Sequence, residues 1–207
     1  MELGKQVDKT AYNFKRYCGI DRWASYHYQL SEIITSGAQS VLEIGAGDGV
    51  VGAYLKHNTQ IAYTSLDIAD DVGADVVGSI TALPFPDASF DAVCAFEVVE
   101  HLPYEKLDAA LSELARVSRG IVLISVPHFG PALKLRFKAP FIPEISVSTK
   151  VPVPQQHRFN GQHYWELGKR GYPVSRFRRS LETYFAIQRE FVPFENQYHH
   201  FFILEKK

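Results

Sequence analysis

Short apolar runs recur through the first two thirds of the chain, separated by glycines, prolines and polar stretches. Val41–Ile44, Ile61–Leu66, Ala74–Val77, Phe90–Phe96 and Ile121–Val126 read as strands of a parallel sheet. Strands covered on both faces need not alternate apolar and polar positions. Helical patterns fall between them: Val51–Lys56 opens one helix, and Pro103 opens another that runs to about Val117. Residues 5–36 read as helical in two pieces, broken near Gly19-Ile20-Asp21, with Asp21 as the cap of the second and Gly37 as its end. Toward the C-terminus, Ser175–Tyr184 reads as a basic amphipathic helix, and Phe185–Pro193 and Tyr198–Leu204 as two strands. Alternating strands and helices predict an α/β fold, Rossmann-like and doubly wound, with helices on both faces.

The stretch Val41-Leu42-Glu43-Ile44-Gly45-Ala46-Gly47-Asp48-Gly49-Val50 organises the rest. A strand, an alternating-glycine turn and a helix N-terminus bring bare backbone and unpaired N–H groups against a ligand. Gly47, Gly49 and Gly52 also satisfy G-x-G-x-x-G, with Asp67 at the distance expected of a dinucleotide site. The turn begins at Gly45, however, directly after the strand. Glu43 at the strand end suits a ligand that carries a cation better than a pyrophosphate, which a carboxylate repels. S-adenosylmethionine, with its amino group and sulfonium, is such a ligand. Asp67, at the end of the second strand, is placed to accept hydrogen bonds from ribose hydroxyls.

Composition narrows the class. The chain has 207 residues, a net charge of −1 and 46% hydrophobic residues, which suits one domain and gives no global attraction to nucleic acid or anionic lipid. Apolar runs fall short of a membrane span, the polar N-terminal residues are unlike a signal peptide, and two cysteines, one of them in an apolar strand pattern, disfavour a disulfide framework. A cytoplasmic protein is expected.

Several ordered motifs together resemble the class I S-adenosylmethionine-dependent methyltransferases, in particular the group called methyltransferase type 11. Carrying the resemblance are Val41–Gly49, Leu66-Asp67, Leu83-Pro84-Phe85-Pro86-Asp87-Ala88-Ser89-Phe90-Asp91 and Glu97-Val98-Val99-Glu100-His101-Leu102. The resemblance implies a seven-stranded sheet, six strands parallel and one antiparallel, closed by a terminal hairpin at residues 184–207. One domain, 1–207, is expected, with a helical cap (5–36), a cofactor-binding core (38–127), an acceptor-facing insertion and helix (128–183) and that hairpin. The resemblance also implies that Gly45, Gly47 and Gly49 hold the methionine part of the cofactor, that Asp67 holds the ribose, that Ser79 and Ile80 flank the adenine, and that Phe96 lines the other side. Family members commonly have Asp where this chain has Ser79, which weakens that contact. Small-RNA 2′-O-methyltransferases and quinone-biosynthesis O-methyltransferases share a Glu-x-x-Glu-His turn joined by a later histidine. For Glu97, Glu100 and His101, with His157 or His163, this implies Mg²⁺-type metal binding. The same turn also occurs in relatives with no known metal.

Beyond Val126 the chain is individual. A long proline-punctuated segment to about Asn160 reads as a functional loop or lid, and it holds Lys134, Arg136, Lys138, Lys150 and Arg158 against the single acid Glu144. With Arg176, Arg178 and Arg179 these suit either a solvated face or recognition of an anionic acceptor. His128, just past the fifth strand where relatives often have Asn, is the first candidate for a general base, against a loop histidine bonded to backbone. The N-terminal aromatics Tyr12, Phe14, Tyr17, Trp23, Tyr26 and Tyr28 are either a packing stripe or a lid. The resulting expectation is an O-methyltransferase acting on a small or carrier-linked acceptor, with RNA a subordinate option. DNA is disfavoured, because the tetrapeptide of base-amino methyltransferases is absent after Phe96. Two rivals stand beside it: a nicotinamide-dependent oxidoreductase and a non-catalytic S-adenosylmethionine-binding protein.

Overall fold

A computed structural model describes residue 10, residues 12–153 and residues 155–207, apart from the side chain of Arg16. The expected helix over 5–18 lies partly outside the described residues. Within them it is one turn, α1 (Phe14–Tyr17). Helix α2 (Ile20–Thr35) follows, capped by Gly19 rather than Asp21, whose carboxylate instead accepts from the Arg22 N–H at 2.9 Å. Gly37, at φ 75°, turns the chain out of α2 as expected.

The main sheet has seven strands in the order β3-β2-β1-β4-β5-β9-β8. These are β1 (Ser40–Ile44), β2 (Ala62–Asp67), β3 (Val76–Val77), β4 (Phe90–Phe96), β5 (Ser118–Pro127), β8 (Phe185–Phe191) and β9 (His199–Lys206). Strands β1 to β5 are parallel, β9 runs antiparallel to both of its neighbours, and β8 is therefore aligned with β1 to β5. This is the expected arrangement of six parallel strands and one antiparallel. A dinucleotide-binding sheet would instead continue 3-2-1-4-5-6 in parallel, so the insertion of β9 separates this fold from the oxidoreductase alternative.

Alternation along the central strands feeds two cores. Val93 and Ala95 of β4, with Val122, Ile124 and Val126 of β5, pack toward α4 (Leu107–Val117) and α5 (Val174–Glu182). Ala92, Cys94 and Phe96 face α2 and α3 (Val50–Asn58). Helix α4 buries Leu107, Ala110, Leu111 and Leu114, a spacing of three and four that makes one apolar stripe. The Leu83–Asp91 block is held by Arg116 of α4, which donates to the Leu83 and Phe85 carbonyls at 2.9 and 2.8 Å and pairs with Asp87 and Glu113.

The segment after Pro127 departs from expectation. It is not an irregular loop but an antiparallel hairpin, β6 (Ala132–Ala139) and β7 (Ile142–Lys150), standing apart from the main sheet. Lys150, expected to serve anion recognition, donates instead to the carbonyls of His128, Gly130 and Gln197 at 2.7, 2.5 and 3.0 Å and ties the hairpin base to the body.

Candidate active site

The carboxyl ends of β1, β2 and β4 open into a cavity of ≈ 300 Å³, the position at which a doubly wound sheet presents ligands. Gly45 and Gly47 form one wall, Asp67 stands at the end of β2, Ser79 and Ile80 continue the wall, and Phe96 and Glu97 close it from β4. The three glycines lie at φ 79°, 55° and 73°, in the left-handed region that excludes most side chains. A Cβ on Gly45 would fall 2.4 Å from Val98 Cγ2, so only glycine lets the turn lie against the segment after β4. Gly49 does not line the cavity; it caps α3. Gly52 packs α3 onto β2, where a Cβ would meet the Tyr63 ring at 2.5 Å.

Glu43 is placed differently from the expectation. Its buried carboxylate accepts a hydrogen bond from the Tyr63 hydroxyl and is absent from the cavity wall. Burial, opposed by that hydrogen bond, pushes its pKa up to about 8. The Ser79 hydroxyl is engaged with Thr81, at 2.9 Å from its Oγ1 and accepting from its N–H at 3.3 Å.

The N-terminal aromatics divide between the cavity, the core and the surface. Tyr12 and Tyr17 line the cavity together with Arg22, whose guanidinium lies 4.4 Å over the Tyr17 ring. Tyr26 donates to Asp48 at 2.6 Å, and Tyr28 packs against Phe191 and Phe201. Phe14 and Trp23 are exposed.

At the far end of the same cavity, Glu100, His101 and His163 bring three ligand atoms within 4.8 Å of one another. Glu100 is fully buried, and both carboxylate oxygens lack a hydrogen-bond partner. Burial, then the neighbouring Glu97 charge, raises its pKa well above the carboxylate range. His101 Nδ1 lies 3.1 Å from the Gln162 carbonyl, and burial beside His163 holds its imidazole down to about 4. Glu97 differs from the expected ligand set. It sits before the short helical turn, at φ 57°, accepts from the Ser125 hydroxyl at 2.8 Å and faces His199 Nε2 at 3.4 Å. Burial raises it to about 7. His163 completes the group, whereas His157 Nε2 is turned to the His163 carbonyl at 2.9 Å.

Two further groups of expected residues are not among those lining the cavity. His128 lies outside the cavity, where its ring stacks on His200 with the Nδ1 atoms 3.1 Å apart, and burial lowers its pKa to about 3. The arginine cluster is also elsewhere: Arg176 lies over the Tyr104 ring at 4.0 Å, Arg178 pairs with Glu190, and Arg179 is exposed on α5. None of the three lines the cavity. Sequence reasoning missed Arg22, Tyr198 and Glu166. Tyr198 lines the cavity and donates to Glu166 at 3.0 Å, and Glu166 also holds His163 Nδ1 at 3.2 Å. The one sequence signal for this pair was the three-residue spacing of His163 and Glu166.

Comparison with known proteins agrees with this geometry. Residues 42–124 match the family model described as "Methyltransferase domain". A fatty-acid O-methyltransferase of Mycolicibacterium smegmatis is 37% identical over 107 residues, which is 45% of this chain but only 38% of that protein. Among solved structures, the PH0226 protein from Pyrococcus horikoshii superposes with a TM-score of 0.62 at 14% identity over 97% of this chain and 100% of its own. Burkholderia thailandensis 1,6-didemethyltoxoflavin-N1-methyltransferase, solved with its substrate and S-adenosylhomocysteine, gives 0.62 at 18% identity over 96% of this chain and 84% of its own. Among the described residues, no helix is long and apolar enough to cross a membrane.

Proposed function

We propose that this chain, which carries a methyltransferase domain of the class I fold, transfers a methyl group from S-adenosylmethionine to a carboxylate oxygen of a small apolar acid. The observation that carries the reading is one cavity joining the glycine turn and Asp67 at one end to Glu100, His101 and His163 at the other. The name of the M. smegmatis relative supports a fatty-acid type of acceptor.

S-adenosylmethionine supplies a methyl group on a positively charged sulfur. The residues present fit it. The open backbone at Gly45 and Gly47 receives the methionine part, Asp67 takes the ribose hydroxyls, and Ser79 and Ile80 flank the adenine. Phe96 and Val98 keep water from the reacting atoms. Tyr12, Tyr17 and Arg22 cover the cavity from the N-terminal side.

A carboxylate acceptor is already deprotonated, so attack of its oxygen on the methyl carbon needs no general base. That agrees with the placement of His128 outside the cavity. What such an anion does need is a positive partner beside two buried acids. Arg22 is one. The cluster of one carboxylate and two imidazoles would hold a second, and its donors suit a divalent transition metal such as Mn²⁺ or Zn²⁺ better than Mg²⁺. Such an ion would orient the acceptor oxygen and take up the Glu100 oxygens, which lack a hydrogen bond.

The test is S-adenosylhomocysteine release, with methyl-ester detection by mass spectrometry, over panels of fatty acids and phenols. Measurements are repeated after chelation and after return of Mn²⁺, Zn²⁺ or Mg²⁺. Ester formed one-to-one with S-adenosylhomocysteine, lost on chelation and in Glu100→Gln and His163→Ala, is the expected result. Turnover on phenols alone would sink the carboxylate acceptor, and turnover indifferent to chelation would sink the metal. Cofactor binding with no turnover on any acceptor would favour the non-catalytic reading.

A further inference from the structure

The β6–β7 hairpin has two unlike faces. Its register pairs Leu135 with Val147 and Phe137 with Ile145, and alternation adds Leu133 to the same face. The opposite face pairs Lys134 with Ser148 and Arg136 with Ser146. This polar face is the one fastened to the body. Arg136 pairs with Glu195 at 2.9 Å and lies 4.5 Å over the Phe194 ring, Lys134 lies 5.0 Å over the same ring, and Gln197 donates to the Ser148 hydroxyl at 3.1 Å. The apolar face is therefore turned away from the protein. Leu133, Leu135 and Phe137 are 67%, 70% and 52% exposed, and Phe141 at the tip is fully exposed beside Ile142. A row of large side chains left in water on a two-stranded ribbon has no folding benefit and marks an interaction surface.

Charge identifies the partner. Residues 129–160 hold five Lys and Arg side chains and one acid, Glu144; Arg136 is paired with Glu144 and Glu195, and the segment stays net positive where the whole chain is −1. Two copies meeting through this hairpin would bring like charges together. An anionic surface would not, and an apolar face bordered by lysines with an aromatic tip suits the boundary of headgroups and acyl chains. Lys138, on the strand leading to the tip, lies 4.0 Å from Glu144 and keeps its side chain 74% exposed.

We propose that the β6–β7 hairpin docks this protein on an anionic lipid bilayer, with Phe141 and the Leu133–Leu135–Phe137 face inserted at the interface and Lys138 against the headgroups. The base of the hairpin is bonded through Lys150 to the Gln197 carbonyl, next in the chain to Tyr198 on the cavity wall, so docking would set the cavity near the bilayer surface. The proposal stands on the exposed hairpin and does not depend on the reaction.

The test is co-sedimentation of the full chain with vesicles of phosphatidylcholine alone and of phosphatidylcholine mixed with phosphatidylglycerol. Binding to the mixed vesicles is expected, weakened as salt screens the charges. Lys138→Ala should weaken it by about fivefold. Leu135→Ser, Phe137→Ser and Phe141→Ser together should weaken it by at least about a hundredfold. The melting temperature and the shift given by S-adenosylhomocysteine should stay unchanged in these variants. If the triple variant does not fold, Phe141→Ser alone, at the fully exposed tip, should still cost about tenfold. Equal binding by wild type and Phe141→Ser would overturn the proposal. So would no binding to either vesicle, or a dimer by light scattering that the triple variant abolishes.

Discussion

The turn after β1 can be tested by comparing two glycines that share a backbone conformation but differ in surroundings. Gly45 and Gly49 lie at φ 79° and 73°, so alanine at either position pays the same left-handed penalty, about 1–2 kcal/mol. Around Gly49 a Cβ would meet nothing within 4 Å. At Gly45 it would stand 2.4 Å from Val98 Cγ2, with the other Val98 carbons at 3.7 and 3.8 Å, so side chain or backbone must move. Overpacking of this kind adds about 1–3 kcal/mol. Gly49→Ala should therefore lower the melting temperature by about 2–8 °C, and Gly45→Ala by roughly twice as much.

Val98→Ala removes the clashing methyl groups and leaves the backbone penalty in place. In a double-mutant cycle, Gly45→Ala with Val98→Ala should be more stable than the sum of the single effects by about 1–3 kcal/mol. Urea denaturation of the four proteins measures this directly. Additive single effects, or equal costs at Gly45 and Gly49, would refute the claim that the turn is pressed against the segment after β4. The same cycle read by S-adenosylhomocysteine titration should show Gly45→Ala losing affinity even where stability is restored, because its methyl also enters the cavity wall.

Arg116→Met should lower stability by about 1–3 kcal/mol, because the Leu83 and Phe85 carbonyls and Glu113 lose a shared donor; a loss below 0.5 kcal/mol in urea denaturation, at about the level of a surface substitution, would contradict this. Glu43 gives a pH signature. Its carboxyl, facing Tyr63 on β2 with Asp48 and Asp67 nearby, is raised by burial from 4.5 to about 8, so the stability it contributes is complete below pH 4.5 and is lost as pH rises toward 8. Melting curves of wild type and Glu43→Gln should therefore converge near pH 5 and separate by pH 9 with the variant the more stable; parallel curves would show that Glu43 is ionised throughout.

The cofactor half was legible because its signals are local. Val41–Ile44 and Ile121–Val126 are apolar throughout or nearly so, as strands covered on both faces must be, and the glycines of the turn announce backbone that only glycine adopts. Asp67 was readable from its place at a strand end. The acceptor side depends on pairings far apart in the chain. Glu100 and His163 meet only because Tyr164 N–H bonds to the Glu100 carbonyl at 2.9 Å across more than sixty residues. His128 follows the expected strand, but β9 inserts beside β5 and stacks His200 on its ring. The arginines of α5 found Glu190 on β8 and tyrosine rings instead of a ligand. The β6–β7 hairpin was written in the alternation Leu133-Lys134-Leu135-Arg136-Phe137-Lys138. The prolines at 140 and 143, which bracket its turn, read instead as marks of a loop.

The most direct test of the central claim is a thermal-unfolding scan with S-adenosylmethionine, S-adenosylhomocysteine and NADH in parallel. At about 100 times its dissociation constant, a ligand that binds only the folded state adds about 2.7 kcal/mol, roughly 5–10 °C for a domain of this size. The sulfur cofactors should give that rise in the wild type and much less in Gly45→Ala, with NADH giving none. A rise with NADH alone would contradict the account.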